Sequence, residues 1–284
     1  MPDTCYKNFS NFYQLLGESP ITRNIIPQIN LLTERYGGEY LDLAERILLV
    51  TEQLGWDAFE CFSQYIYDYI REMTQYLKTG EYGHSDFDEI YKKIYGNKEV
   101  MEELYLPGLF LAYGFTTILY SKYRLYRNKF LTRLNKDSDG IEVGFGEGFY
   151  LWEMCNHIPG IHPKGFDISP SAIKIASKVL NKSEQLLVNK EKERENYTLQ
   201  IGNIFNGLPI SDASQDWGIL AEVIEHIPNP ELGLFEMSRV LKPGALFYVT
   251  TVKDSNHMDH ITNFPSVEYV IDLIENTGFI VQEK

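Results

Sequence analysis

The sequence predicts an α/β fold in which a doubly wound, mostly parallel sheet follows an N-terminal all-α cap domain. Three observations predict it. Residues 1–134 space their apolar side chains at helical intervals and show no strand alternation; from residue 141 onward short apolar strands alternate with helical stretches; and the polar run K-D-S-D-G at 136–140 separates the two patterns. The division therefore falls between a helical cap or substrate domain, 1–134, and a second domain, 135–284. Alternating strands and helices imply a parallel sheet covered on both faces.

In the first section a helix over 21–36 begins or is interrupted near Pro27 and stops at Gly37 and Gly38. A second follows to Gly55. A third, over 56–77, carries the stripe Phe59, Phe62, Ile66, Ile70, Met73 and Leu77. Shorter helices start at Ser85 or Asp86 and at Asn97, and Pro107 is expected to break the latter. One last helix runs over 108–134, apolar early and basic late, which suits its dipole. This section holds 16 of the 20 tyrosines. Tyrosine joins apolar area to a hydrogen-bonding tip, so core edges and a ligand-lining role are both open.

In the second section strands are expected at 141–143, 162–168, 197–201, 217–221 and 245–250, with helices at 148–155, from Pro170 to about 180, at 230–241 and at 265–276. Ser169-Pro170 supplies an N-cap and a proline at the first helical position. The charged stretch 181–196 reads as a solvated helix end and loop.

The first strand runs into I-E-V-G-F-G-E-G-F, residues 141–149, with Gly144, Gly146 and Gly148 at alternate positions. Such glycines open backbone conformations closed to other residues and let a ligand lie against main chain. The third glycine comes one place early for a dinucleotide fingerprint, and no Lys-Ser or Lys-Thr follows for a phosphate loop. Ligands of such sheets bind at the carboxyl ends of the strands, where this turn lies.

The spacing resembles the first motif of class I S-adenosylmethionine-dependent methyltransferases, and further blocks keep that register. Twenty-three residues after Gly144 the second strand ends in G-F-D-I-S; later come G-N-I-F-N-G-L-P, A-E-V-I-E-H-I-P-N-P and E-M-S-R-V-L-K-P-G-A-L-F-Y-V-T-T. The last two look like blocks of the family's small-molecule branch. The resemblance covers about residues 140–284 and implies a Rossmann-like sheet with S-adenosyl-L-methionine as cofactor. It implies that Glu142, Gly144, Gly146 and Gly148 surround the methionine part, Asp167 the ribose, and Ile168, Asn203 and Ile204 the adenine. Asn203 stands where the family usually carries an acid, and its amide oxygen can accept from an amino group. Glu222 and Val223 should approach the methionine portion or the acceptor. The family generally adds a sixth and an antiparallel seventh strand; here G-F-I-V-Q-E-K resembles the sixth, so an unusual sheet edge is expected.

On the acceptor side His226 is the candidate base, oriented by Glu225, since an imidazole titrates near neutrality; helix-start packing is the other role open to the same E-H pair. His257 and His260, in N-H-M-D-H, are candidates for substrate contact. With Asp259 they could ligate a metal, but no further ligands are evident and none is expected. The net charge of −14 argues against a nucleic-acid partner. Three scattered cysteines suit a reducing, cytoplasmic setting, and no signal peptide or membrane span is read. The expectation is a methyltransferase for a small, partly apolar or aromatic acceptor, with homo-oligomerisation open. A carrier- or protein-bound acceptor, and a noncatalytic cofactor-binding protein, are the alternatives.

Overall fold

The computed structural model describes residues 6–83, 86–186 and 197–283. The helical section opens with α1 (Lys7–Glu18), α2 (Ile26–Tyr36), α3 (Gly38–Gln53) and α4 (Ala58–Thr79). Gly37 turns the chain between α2 and α3 at a positive φ of 53°. Asp57 caps α4 by accepting the Glu60 N–H at 2.9 Å. The expected α4 stripe is only partly inside. Phe62 and Ile66 are buried, whereas Ile70 and Leu77 are exposed, because the last turns extend past the core and turn Asp68 and Glu72 inward to pair with Arg71.

Pro107 does not break the chain's helix. After the short α5 (Phe87–Ile90) and its π-helical continuation Tyr91–Tyr95, residues 98–115 stay helical, through a π-helical stretch Val100–Tyr105 into α6 (Leu106–Phe115). In that stretch the Leu106 N–H reaches back five residues to the Met101 oxygen. The wider turns make room for the ring of Pro107, which has no N–H to lose. The break comes instead at Thr116, in extended backbone, where α7 (Thr117–Leu125) sets off with a bend of 76° between the two arms. The single helix expected over 108–134 is thus divided and ends in π and 3₁₀ turns at Tyr126–Phe130 and Leu131–Arg133. Among the described residues no single helix is long and apolar enough to cross a membrane.

The sheet is formed by β1 (Gly140–Val143), β2 (Lys164–Asp167), β3 (Thr198–Ile201), β4 (Gln215–Ala221) and β5 (Leu241–Thr250). Its order is β3-β2-β1-β4-β5 and all four pairings are parallel. The order reverses at β1, so a crevice opens beyond the ends of β1 and β4. β5 begins earlier than expected because Leu241 already pairs with Gln215 before a bulge. α8 (Phe149–His157) and α9 (Pro170–Leu186) cover one face, and α10 (Pro230–Val240) and α11 (Val267–Asn276) the other. α9 runs past the expected end near residue 180; residues 187–196 of the charged stretch, and Ser85, lie outside the described residues.

Alternation along β4 sends Trp217, Ile219 and Ala221 to the α8 side and Leu220 to the α10 side. On the α8 side the core continues without interruption into the helical section, where Phe149 stacks on Tyr113 with ring centroids 3.8 Å apart. The expected sixth strand is not formed by residues 279–283. Phe279 instead lays its ring 4.5 Å from Phe247 of β5, and the tail is tied to the helical section by Lys129–Glu283 at 2.9 Å and Arg133–Gln282 at 3.1 Å.

Candidate active site

All three turn glycines have positive φ: 71° at Gly144, 53° at Gly146 and 83° at Gly148. Their surroundings differ. A Cβ on Gly144 would stand 2.6 Å from Val223 Cγ2, so the turn and the end of β4 close on each other. A Cβ on Gly146 would meet only Leu106 Cδ2, at 3.7 Å, and Gly146 lines a cavity of about 560 Å³. Gly148 does not line that cavity. Its Cβ would strike Ala176 Cβ at 2.9 Å, so the third glycine serves close packing of α8 on α9 rather than ligand approach.

Glu142 and Asp167 line the cavity from the ends of β1 and β2. Both are buried, and Glu142 Oε2 has no hydrogen-bond partner. Burial, with Glu147 and Asp167 nearby, pushes Glu142 well above the usual carboxylate range; burial also raises Glu147 to about 8 and Asp167 to about 6. Asp167 accepts the Gly146 N–H at 3.0 Å and the Ser169 N–H at 2.8 Å, one at each oxygen, which fixes its carboxylate against the turn. Ile168, Asn203, Ile204 and Val223 also line the cavity. The oxygen of Asn203 is already engaged, accepting the Phe205 N–H at 2.9 Å to cap a 3₁₀ turn. That local bond qualifies the expectation of an amide oxygen reserved for an adenine.

Glu222 follows β4 at a positive φ of 54°, a strained position for a side-chain-bearing residue. Its Oε2 pairs with Lys122 of α7 at 2.5 Å, while Oε1 is buried without a partner. Three residues on, Glu225 is fully buried. Thr251 donates to its Oε2 at 2.8 Å, and Oε1 has no partner. Burial and neighbouring Glu222 raise the Glu225 pKa to about 7.

The structure brings His226, His257 and His260 together around Asp259. The His226 Nδ1–H donates to the Asp259 carbonyl at 3.0 Å, that of His260 to the Ser255 carbonyl at 2.6 Å, and that of His257 to Asp259 Oδ1 at 3.2 Å. Asp259 Oδ2 accepts from the hydroxyls of Tyr95 at 2.9 Å and Tyr105 at 2.7 Å. These bonds consume the Asp259 carboxylate, so the loop set His257, Asp259 and His260 is not assembled as ligands. Burial opposes charge throughout the cluster. The carboxylates of Asp259 and Glu225 overcome it at His226 and raise its pKa; His260, crowded by His226, is lowered to about 3; and the histidines hold Asp259 well below the usual range.

The cavity is therefore acidic at the glycine end and aromatic under the helical section, where Tyr65, Tyr69, Tyr95, Tyr105 and Tyr113 join its wall. Among the described residues no lysine or arginine lines it. A methyltransferase-domain family matches residues 134–276, half of the chain's length. The chain belongs to this family.

The methyl donor this family implies is S-adenosyl-L-methionine. Its sulfonium and ammonium charges suit a glycine end lined by Glu142, Glu147 and Asp167 and by no lysine or arginine among the described residues, with an unpartnered Glu142 oxygen and a turn open at Gly146, so the residues fit the group. This methyltransferase domain is 29% identical over 124 residues to norajmaline N-methyltransferase of Rauvolfia serpentina, covering 43% of this chain and 38% of that one. It is 26% identical over 135 residues to the mitochondrial ubiquinone biosynthesis O-methyltransferase of Dictyostelium discoideum, covering 47% and 41%. A solved S-adenosylmethionine-dependent methyltransferase from Aquifex aeolicus aligns at 18% identity and a TM-score of 0.44, over 70% of this chain and 92% of that one. The chain spans about two fifths of the length of the first curated relatives it matches.

Beside this methyltransferase domain several site residues escaped the sequence reading. Glu147 sits inside the glycine turn and was passed over between its neighbours. Lys122 and the five tyrosines come from helical elements well upstream of the turn, between Tyr65 and Lys122, and helical spacing cannot distinguish a tyrosine facing a cavity from one facing a core. The N-H-M-D-H spacing shows Asp259, but not that Tyr95 and Tyr105 converge on it.

Proposed function

We propose that this protein transfers a methyl group from S-adenosyl-L-methionine to a small, partly apolar or aromatic acceptor held under the helical section 1–134, which acts as its cap. One observation carries the reading: a single cavity runs from the glycine turn and its three acids to the tyrosine wall, with Glu222 and His226 along the way. When bound, the cofactor supplies a methyl group already activated by a sulfonium. What remains for the chain is alignment and exclusion of water. Glu142, Glu147 and Asp167 offer carboxyl oxygens to the donor's polar and cationic groups, and Gly144 and Gly146 let main chain approach it. Ile168, Asn203 and Ile204 form the far wall for the adenine, and Val223 closes the turn. Tyr65, Tyr69 and Tyr113 present flat faces to the acceptor.

The acceptor's proton has destinations in the same wall. The Nδ1–H bonds of His226 and His260 leave each Nε2 lone pair free to accept, with the Glu225 carboxylate beside them. His257 is boxed by Tyr65 and Tyr105, with centroids 5.2 and 5.6 Å away, and shapes the acceptor end.

The test is calorimetric titration with S-adenosylmethionine and S-adenosylhomocysteine, followed by mass-spectrometric detection of methylated product from a panel of phenols, catechols and amines. Micromolar binding that is lost in Asp167→Ala, with turnover of free acceptors, is the expected result. No binding by the folded protein overturns the reading, and binding without turnover of any free acceptor moves it to a carrier-borne one. Such an acceptor is favoured by 24% identity over 160 residues to a malonyl-[acyl-carrier protein] O-methyltransferase.

A further inference from the structure

At the acceptor side of the cavity, His226 and His260 of its wall and Glu225 buried behind them bring electron-pair donors together. One ligating atom each from Glu225, His226 and His260 lies within 4.8 Å of the other two. Each histidine has its Nδ1–H committed to a backbone carbonyl, Asp259 for His226 and Ser255 for His260, which leaves the Nε2 lone pairs as the free donors. A backbone carbonyl on the far nitrogen is the outer support that orients metal-binding imidazoles. The two rings meet edge to face at 4.8 Å between centroids. Glu225 is held the same way. Its backbone oxygen accepts the N–H groups of Ile261 and Thr262, both at 2.9 Å, Thr251 holds Oε2, and Oε1 is left fully buried without a partner. Three convergent acceptors with no donor among them call for a positive charge at their centre.

We propose that Glu225, His226 and His260 bind one divalent first-row transition cation, and that an acceptor hydroxyl is held on its open positions beside the methyl donor. Two imidazoles and one carboxylate select such an ion over magnesium or calcium, and three protein ligands leave room for an exogenous oxygen. The cation would make the acceptor an oxygen nucleophile, a phenol or catechol, whose proton is released to solvent on binding instead of passing to the Nε2 atoms, which the cation then occupies. This deepens the methyl-transfer reading and rests on it for the acceptor's place.

The experiment uses the full chain, stripped of metal by chelation and dialysis. Zn²⁺ alone is titrated calorimetrically, Co²⁺ alone is followed by its visible absorption, and S-adenosylhomocysteine is titrated in parallel. The expected result is one Zn²⁺ per chain, weakened at least about tenfold in Glu225→Gln and in His260→Gln while S-adenosylhomocysteine still binds, and a Co²⁺ spectrum showing nitrogen ligation. Should a variant fail to fold, the wild-type spectrum decides, because ligation by oxygen alone overturns the site. S-adenosylhomocysteine binding without saturable Zn²⁺ binding overturns the cation and leaves the methyl-transfer reading standing. Zn²⁺ binding at these residues without S-adenosylhomocysteine binding keeps the cation site and removes the reading on which the acceptor's place rests.

Discussion

Replacing Gly146 by alanine separates a turn that carries a ligand from one that is merely tight. At a φ of 53° an alanine enters the left-handed region, which costs about 1–2 kcal/mol. The protein itself has space, since the new Cβ meets only Leu106 Cδ2 at 3.7 Å. Unfolding should therefore come roughly 2–8 °C earlier, and no more. Cofactor affinity should fall further. A methyl group forced into a filled contact costs about 1–3 kcal/mol, which corresponds to about 5- to 150-fold in Kd. Gly244→Ala is the control, because its φ of 81° brings similar strain while nothing lies within 4 Å of the added Cβ. Thermal unfolding and S-adenosylhomocysteine calorimetry on the wild type and both variants measure the two effects separately. A folded Gly146→Ala protein that binds as tightly as the wild type would refute the placement of the donor against this turn.

Three further outcomes follow from the same cavity. Lys122→Met leaves Glu222 without its counter-charge; both side chains are largely buried, so a loss of about 2–3 kcal/mol is expected in denaturant unfolding, somewhat below that of a fully buried pair. Adding Glu222→Gln should restore at least half of it, and an additive double variant would show the pair to be uncoupled. Tyr95→Phe and Tyr105→Phe each remove a donor to the Asp259 carboxylate and should cost about 1.5–3 kcal/mol apiece; unchanged unfolding midpoints would show that the carboxylate does not need them. Between about pH 7 and about pH 8.5 stability should fall as pH rises. Burial lifts the Glu147 pKa to about 8 in the folded protein, so a proton the unfolded chain has already released is held until then, and raised His226 acts in the same direction. A melting temperature that stays level or climbs across this window contradicts the assignment.

Much of the glycine-turn end of the cavity was legible because its determinants are local. A glycine at alternate positions after an apolar strand, and an acid at the end of the next strand, are visible within a few residues, and Glu142, Gly144, Gly146 and Asp167 all meet at the cavity. Gly148 misled because a positive φ and a close approach look the same in sequence whether the neighbour is a ligand or, as here, Ala176. Pro107 misled because its helix-breaking effect assumes α geometry, and wider turns precede it. The sixth strand failed for a different reason. Its apolar residues found a ring partner in Phe247 without hydrogen-bonded pairing along β5. The acceptor side was half legible: Glu225 was read with His226, and His257 with Asp259 and His260, as two separate runs, while the trio within 4.8 Å needed Glu225 and His226 from behind β4 to meet His260 from beyond β5.

The uninterrupted core bears on how this protein could be re-engineered. Phe149 lies against Tyr113 from one section and Trp152 from the other, and Tyr126 packs on both Tyr150 and Tyr248. A chimaera that joins this sheet to the helical section of a relative would have to rebuild those ring contacts at once, so whole-module exchange is a poor route to new acceptors. Single replacements at Tyr65, Tyr69 or Ile118, which face the cavity and stand outside the buried core, alter what it can hold while leaving that shared filling intact.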